Sequence, residues 1–304
     1  MVTKESISEI YNRPLLALIT DARTIHQNNF PTDDIELCHL VSVKTGGCPE
    51  DCKYCSQSIY NKSPIKLNPL LPIMDIEKSV KDAKENGVKR ICLGAAYRTP
   101  NSSAIDKISQ YIKVIKKHGL ESCATLGSLN QNQAQQLKNA GLDYYNHNID
   151  TSPEFYPKVI TTRSFSDRVD TISNVASVGM KVCCGGILGL GESRKDRISF
   201  IHALYQLPAI PDSIPINMLV KVDGAKLNDT SPFDKNELVR MIATVRILFP
   251  KTRIRLSAGR NELSELEQSL LFLSGANSIF FGEKLLTVGN NAANNDIEMI
   301  KNLV

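Results

Sequence analysis

The stretch Lys84-Glu-Asn-Gly-Val-Lys-Arg-Ile-Cys-Leu-Gly94 closes a charged, helix-spaced segment at Gly87 and passes within two residues into an apolar run. A glycine at that point supplies the left-handed cap that ends a helix at little cost. The run after it has the length and apolar density of a buried strand. The same order of helix, glycine and strand returns in KKHGLESCATL (116–126), KNAGLDYYNHN (138–148), ASVGMKVCCGG (176–186) and LSGANSIFFG (273–282). This is the pattern of successive βα units, which build a parallel sheet.

Working outward, eight segments read as strands: 39–45, 89–95, 121–126, 143–149, 181–186, 213–220, 253–257 and 278–282. Helical spacing fills 75–86, 103–118, 130–140, 166–178, 193–206, 235–248 and 262–274 between them, and a longer helix is expected over 4–27. Two parallel architectures suit this alternation, an open doubly wound sheet and a closed (β/α)8 TIM-type barrel. The barrel is favoured because polar or sulfur-bearing residues occur in nearly every strand, including those that would be the buried centre of an open sheet. The expected α/β organisation is one barrel domain over 1–304, with an N-terminal helical extension at 1–38, the barrel at 39–288 and a tail at 289–304.

The composition agrees with a soluble globular protein. The chain has 304 residues, 42% hydrophobic and 22% charged, with 17 Gly and 14 Pro, which excludes wholesale disorder and collagen-like repeats. The net charge is +4, from 36 Lys+Arg against 32 Asp+Glu, without a concentrated basic tract. Neither nucleic acid nor a membrane is expected as a partner. No apolar run approaches the roughly 20 residues of a membrane span. The run Pro14–Thr20 is only seven residues long and reads as a helix face, so a cytoplasmic location is expected. Eight cysteines in such a chain point toward metal or redox use more than disulfides.

The strongest local signal follows the first strand. Thr45-Gly-Gly-Cys-Pro-Glu-Asp-Cys-Lys-Tyr-Cys55 places Cys48, Cys52 and Cys55 at the spacing C-x3-C-x2-C. Three thiolates on one loop can hold three corners of a cubane 4Fe-4S cluster and leave the fourth iron open. Structural zinc wants four ligands, and no second C-x2-C exists here, so zinc would need a distant fourth ligand. Further along, Cys92, Cys123 and Cys183 lie at comparable depths in candidate strands, where alternation can turn them toward a barrel axis, and Arg255 points into the same space. Cys184 must face the other way from Cys183, and Cys184 and Cys38 read as core residues. Asn146, Asn148 and Asp150 form a polar array on one strand face, which leaves His147 as a packing residue. The glycines of CCGGILGLGE lack the lysine of a phosphate loop and suit close backbone approach to a nucleoside.

The cysteine loop resembles the signature of the radical S-adenosylmethionine enzymes, and from VKTGGCPEDCKYC to GANSIFFGEKLLT the chain resembles the biotin synthase family. That resemblance implies conversion of dethiobiotin to biotin by two hydrogen abstractions and insertion of one sulfur. It implies that Cys48, Cys52 and Cys55 hold a 4Fe-4S cluster whose electron cleaves S-adenosylmethionine to a 5′-deoxyadenosyl radical. It further implies that Cys92, Cys123, Cys183 and Arg255 hold a 2Fe-2S cluster that delivers the sulfur. Arginine is an unusual ligand, because a guanidinium has no free lone pair. By the same resemblance Tyr54 and Ile187 lie beside the adenine, Ala95 and Ala96 offer backbone contacts to the methionine amino group, and Arg168 meets its carboxylate. Asn148 and Asp150 then contact the ribose. Asn148, Asn217 and, more weakly, Asn146 serve the substrate, and Thr287 its valeryl carboxylate. Where the family often has two adjacent threonines, this chain reads Thr287-Val288.

An electron-donor protein of flavodoxin or ferredoxin type, iron-sulfur assembly proteins and a homodimer are the partners implied. The rival readings are a radical enzyme without sulfur insertion and a non-catalytic metal-binding scaffold. The first need not have Cys92, Cys123 and Cys183, and the second would bind metal without cleaving S-adenosylmethionine. A lipoyl synthase would carry a second clustered cysteine motif, which is absent.

Overall fold

Every segment that follows a glycine-ended helix is laid parallel to its neighbours in a single ring. The computed structural model describes residues 2–32, 34–227, 230 and 232–304. Among these the strands are β1 (Glu36–Lys44), β2 (Arg90–Ala95), β3 (Glu121–Thr125), β4 (Tyr144–Asn146), β5 (Lys181–Cys183), β6 (Gly186–Leu188), β7 (Ser213–Met218), β8 (Arg253–Leu256) and β9 (Ser278–Phe281). They run in the order β5-β4-β3-β2-β1-β9-β8-β7-β6, and a further β5–β7 pairing closes the ring. The expected (β/α)8 TIM-type barrel is therefore the fold, and the open sheet is not.

β5 and β6 are two halves of one stave. Cys183 pairs with Ser213, and Gly186–Leu188 pair with Ile216–Met218 further along the same β7. The break between the halves has a steric cause. A Cβ on Gly185 would lie 1.9 Å from the Pro215 carbonyl oxygen, and one on Gly186 would lie 2.4 Å from that of Asp150. Gly185 and Gly186 thus permit protein backbone to approach protein backbone.

The helices are α1 (Lys4–Tyr11), α2 (Leu15–Asn29), α3 (Ile73–Glu85), α4 (Ser102–Lys117), α5 (Gln131–Asn139), α6 (Phe165–Ser177), α7 (Arg194–Tyr205), α8 (Lys235–Leu248), α9 (Glu265–Leu273) and α10 (Ala293–Leu303). The side chains of Asn101, Asn130, Ser164, Ser193 and Ser264 cap α4, α5, α6, α7 and α9 by accepting from free N–H groups of the first turn. Strand alternation then divides the interior in two. Val41, Val43, Ile91, Leu93, Ala124, Val182, Cys184, Ile214 and Ile279 pack outward under the helices. Full burial of such an aliphatic side chain contributes about 1.5–3 kcal/mol, so this layer drives closure. Inward lie Cys38, Cys92, Cys123, Tyr144 and Cys183, with Leu40 and Phe280 against them.

Two boundaries differ from expectation. The helix expected over 4–27 is divided into α1 and α2, with Pro14 as the cap of the second. Proline has no N–H to continue a helix and disfavours helical backbone at the residue before it. The first strand begins at Glu36, earlier than position 39, and so includes Glu36 and Cys38. Beyond the barrel, the tail forms α10, whose buried Asp296 pairs through both oxygens with buried Arg260 at 2.7 Å.

Candidate active site in the barrel

The loop after β1 is held from several sides. Gly46 and Gly47 take φ values of 75° and 70°, left-handed backbone suited to glycine. Lys44 Nζ donates to the carbonyls of Gly46 at 2.9 Å and Ala96 at 2.8 Å. Asn61 Nδ2 donates to the carbonyls of Cys52 at 3.1 Å and Cys55 at 2.7 Å. Asp51 accepts from the backbone N–H groups of Thr161 at 2.8 Å and Thr162 at 3.1 Å. Buried Glu50 faces Arg98 at 3.4 Å and Arg163 at 3.8 Å. A loop so anchored presents Cys48, Cys52 and Cys55 as free thiols, Cys52 buried and the others half-buried. Burial pushes all three thiols upward, Cys55 to about 11. They therefore need a cationic partner to become thiolates.

Beside the loop, Asp150 joins the polar groups. It is the described non-glycine residue with positive φ, at 65°, a conformation that costs energy and persists only where surroundings impose it. Its Oδ2 accepts from Tyr54 Oη at 2.9 Å and Arg168 Nη2 at 2.6 Å. Arg168 is buried, and also donates to the Asn148 carbonyl at 2.8 Å and Tyr156 Oη at 2.9 Å. Asn148 Oδ1 accepts from Asn146 Nδ2 at 3.1 Å and from the Gly185 N–H at 3.0 Å. Asn217 donates to the Gly186 carbonyl at 3.0 Å and accepts from the Ala258 N–H at 3.1 Å. Both asparagines are thereby fixed before any ligand arrives.

Two cavities follow one another down the barrel. The outer, about 230 Å³, is lined by Tyr54, Cys55, Asn148, Asp150, Ile187 and Thr287 among others. The inner, about 170 Å³, is lined by Cys92, Cys123, Asn146, Arg255 and Ser257 among others. Leu40, Asn148, Asn217, Phe280 and Leu286 line both, so the two spaces adjoin. A larger hollow of about 600 Å³, lined by residues of α2, α9 and the C-terminal end, contains no thiol and is set apart from this chemistry.

The inner thiols pack together. Cys92 and Cys123 are register partners on β2 and β3, and both belong to one buried cluster. Cys183 and Cys38 pack in the same cluster. The neighbouring Cys123 thiol, working against burial and aided by the Arg255 charge, draws the Cys183 thiol down to about 6. Asn146 Nδ2 donates to Cys183 Sγ at 3.2 Å. Arg255 donates through Nε to Ser278 Oγ at 3.0 Å and through Nη2 to Cys38 Sγ at 3.0 Å and Glu36 Oε1 at 3.3 Å. Arg90, over the Tyr144 ring, donates to the other Glu36 oxygen at 3.2 Å. Ser257 Oγ, on the inner cavity, is buried without a hydrogen-bond partner among the described residues.

The structure thus brings Cys55 of the loop set to the outer cavity and Cys92 and Cys123 of the strand set to the inner one, with Cys183 packed against the latter two, and leaves Cys184 in the outer layer. Other expected contacts are already engaged. The Ala96 carbonyl accepts from Lys44, and the Ala95 carbonyl accepts from the Tyr97 N–H at 3.0 Å. Thr287 Oγ1 is 2.6 Å from Ser56 Oγ. His147 is buried, and burial followed by the nearby Arg168 and Arg163 charges pushes its pKa well down, as befits a neutral packing residue. The expectation of Cys38 as ordinary core is corrected, since it lies among the inner thiols. Starting the strand at Glu36 would have revealed it, because Glu36, Cys38 and Leu40 share one face.

Residues 42–204 match the Radical SAM superfamily, and 215–303 match the Biotin and Thiamin Synthesis associated domain. Among solved structures, methylornithine synthase shares the fold with a TM-score of 0.81 at 19% identity, over 100% of this chain and 91% of that one. The FeFe-hydrogenase maturase HydG from Carboxydothermus hydrogenoformans gives 0.84 at 16%, over 99% and 74%. A closed parallel barrel with a three-cysteine loop at the end of its first strand is, with these matches, a radical S-adenosylmethionine enzyme.

The chain is 50% identical over 301 residues to the biotin synthase of Acidithiobacillus ferrooxidans, covering 99% of this chain and 95% of that one. It is 53% identical over 298 residues to that of Francisella tularensis subsp. tularensis, covering 97% and 95%. The chain belongs to the biotin synthase family. The cofactors of that family are a 4Fe-4S cluster, a 2Fe-2S cluster and S-adenosylmethionine. No three thiols, imidazoles or carboxylates among the described residues meet closely enough to hold a single metal ion. Clusters suit the arrangement better, because thiolates on different irons stand apart, and the free loop thiols and the inner thiol series match the two donor sets.

Proposed function

We propose that the outer cavity binds S-adenosylmethionine and the ring end of the substrate against the cysteine loop, and that the inner thiols hold the sulfur source. The enzyme converts dethiobiotin to biotin, the last step of biotin biosynthesis. When bound, the 4Fe-4S cluster supplies the electron that cleaves S-adenosylmethionine, and the 2Fe-2S cluster supplies sulfur. The observation that carries the residue assignments is the pair of adjoining cavities, one bordered by Cys55 and the other by Cys92, Cys123 and Arg255.

Cys48, Cys52 and Cys55 hold the outer cluster, and Cys92, Cys123 and Cys183 with Arg255 frame the inner one. Tyr54 and Ile187 enclose the adenine, Asn148 and Asp150 take the ribose, and the backbone at Ala95 and Ala96 receives the methionine amino group. Arg168 fixes Asp150 and supplies the positive charge near the methionine carboxylate. Asn146, Asn148 and Asn217 present amides to the ureido ring, and Thr287 a hydroxyl to the valeryl carboxylate. Positioning and exclusion of water are the protein's share, since hydrogen abstraction by a carbon radical needs no acid-base pair.

An electron donor of flavodoxin or ferredoxin type reduces the loop cluster in this reading. Iron-sulfur assembly proteins, a homodimer and a cytoplasmic setting complete the proposal. No helix among the described residues is long and apolar enough to cross a membrane. The test is anaerobic reconstitution followed by turnover with dethiobiotin and S-adenosylmethionine. Biotin formation that requires both Cys52 and Cys183 supports the assignments, and undiminished biotin formation without either refutes them.

A further inference from the structure

We propose that the face formed by Ile59, Tyr60, Lys62 and Lys226, beside the cysteine loop, is the docking surface for an acidic electron-donor protein of flavodoxin type. This rests on the reading of Cys48, Cys52 and Cys55 as the 4Fe-4S site.

The face belongs to the scaffold that holds the loop. The Ile59 N–H donates to the Cys48 carbonyl at 3.0 Å, and Asn61 Nδ2 donates to the carbonyls of Cys52 at 3.1 Å and Cys55 at 2.7 Å. The segment 59–61 is thus bonded to all three cysteines, and it carries Ile59, 61% exposed, and Tyr60, 48% exposed. A second segment is locked onto the first. The Lys62 N–H donates to the Gly224 carbonyl at 2.8 Å, the Lys226 N–H donates to Asn61 Oδ1 at 3.3 Å, and Lys226 Nζ lies 5.8 Å from the Tyr60 ring centroid. The Leu227 N–H donates to the Lys53 carbonyl at 3.0 Å, and Lys53 Nζ donates to the Lys158 carbonyl at 2.6 Å. Lys62, Lys226 and Lys158 are exposed and Lys53 is half-buried, so four lysines border the two apolar side chains. Against them stands Asp223, the exposed acid beside Gly224.

An apolar centre inside a charged rim is the anatomy of a protein interface, and redox encounters use small ones. The excess of lysines selects an acidic partner, because opposite charge raises the encounter rate and loses its effect as salt rises. From this segment one hydrogen bond leads to the backbone of each cysteine, which gives an arriving electron a short path. None of Ile59, Tyr60, Lys62 and Lys226 lines the outer cavity, so a donor can sit here with that cavity filled. One electron leaves the flavin hydroquinone, which becomes the semiquinone, and enters the loop cluster; no bond forms or breaks in that step.

The experiment uses the anaerobically reconstituted full chain and a bacterial flavodoxin in its hydroquinone form. Stopped-flow absorbance follows reduction of the loop cluster, with dithionite, which needs no docking face, as the parallel reductant. At low salt the double reversal Lys62→Glu, Lys226→Glu is expected to lower the second-order rate with flavodoxin about tenfold or more and to remove most of its salt dependence. Ile59→Asp should slow the same step several-fold. Both variants should keep their iron content and their dithionite-driven cleavage of S-adenosylmethionine. The same double reversal at Lys113 and Lys117 of α4, both exposed, should leave the flavodoxin rate nearly unchanged. Carbodiimide cross-linking to oxidised flavodoxin, read by mass spectrometry, should join flavodoxin carboxylates to Lys62 or Lys226 without any turnover. Unchanged flavodoxin kinetics in both variants, a loss of equal size with dithionite or in the α4 control, or cross-links confined to other faces overturns the proposal. So does a shift in the enzyme's own oligomeric state with flavodoxin kinetics unchanged, which would give the face to a second copy of the chain. A loop cluster still formed and reduced in Cys52→Ala would instead overturn the underlying reading of that loop.

Discussion

Cys183 lies against Cys123 inside the barrel, whereas its chain neighbour Cys184 packs in the apolar layer beneath the helices. One peptide bond separates a proposed cluster ligand from a structural thiol, because successive strand residues face opposite ways. Cys183→Ala is expected to lose the 2Fe-2S cluster and biotin formation while it still cleaves S-adenosylmethionine. Cys184→Ala should keep both clusters and cost about 1 kcal/mol of stability. Iron and sulfide analysis with product assays on the two variants checks this pair, and equal cluster loss in both would contradict it.

The loop and the polar array predict effects that differ in kind. Cys52→Ala should abolish reductive cleavage of S-adenosylmethionine. Asn148→Ala should weaken binding by the loss of polar contacts worth about 0.5–1.5 kcal/mol each, or roughly two- to tenfold in Kd. Equilibrium binding and single-turnover cleavage separate the two. Cleavage at the normal rate by the Cys52 variant would remove that loop from the chemistry.

The barrel was legible because two local signals agreed: glycines at 87, 119, 141, 179 and 275 all adopt positive φ after helices, and the runs after them pair in parallel. The two cysteine sets were legible as well, one from spacing and the other from alternation. What escaped depended on boundaries and on contacts distant in sequence. A strand that starts at His39 leaves Cys38 off the inward face, whereas the strand begins at Glu36. The break at Cys184–Gly185 is imposed by Pro215 and Asp150, and no local pattern announces it. Ser56 and Thr287 lie 231 positions apart, so their contact exists only once the ring has closed.

Glu154 predicts an acid-sensitive attachment of the first helix. It accepts from Lys4 Nζ at 2.7 Å and from Ser199 Oγ at 2.6 Å. Burial opposes ionisation, but these bonds overcome it and lower the carboxyl from 4.5 to about 2. A carboxyl depressed on folding contributes stability above its unfolded pKa, and that contribution fades as pH falls toward the folded value. Its side chain is 56% exposed, so the contribution near neutrality is under about 1 kcal/mol. Denaturant unfolding of Glu154→Gln should therefore show a small deficit at neutral pH that narrows between 4.5 and about 2. A deficit unchanged across that window would assign the effect to packing.

The Ser56–Thr287 contact bears on how the substrate's carboxylate is held. Val288 removes a hydroxyl that the family often has, yet Ser56 Oγ stands 2.6 Å from Thr287 Oγ1, and Ser56, Thr287 and Val288 all line the outer cavity. No lysine or arginine is among the described residues lining that cavity, so an anionic chain end there would rely on neutral donors. Two hydroxyls in mutual contact can each turn a hydrogen toward a carboxylate when it arrives, since a hydroxyl hydrogen rotates to suit its partner. Ser56→Ala is accordingly expected to raise the KM for dethiobiotin about two- to tenfold with little change in kcat. Val288→Thr should offset part of that loss in the same background. Repeating the comparison with the primary alcohol analogue of dethiobiotin isolates the carboxylate, because the Ser56 effect should shrink when the anion is gone. A KM change of equal size for the alcohol would show that Ser56 only shapes the loop, and a change in S-adenosylmethionine cleavage without substrate would place it with the cysteine loop instead.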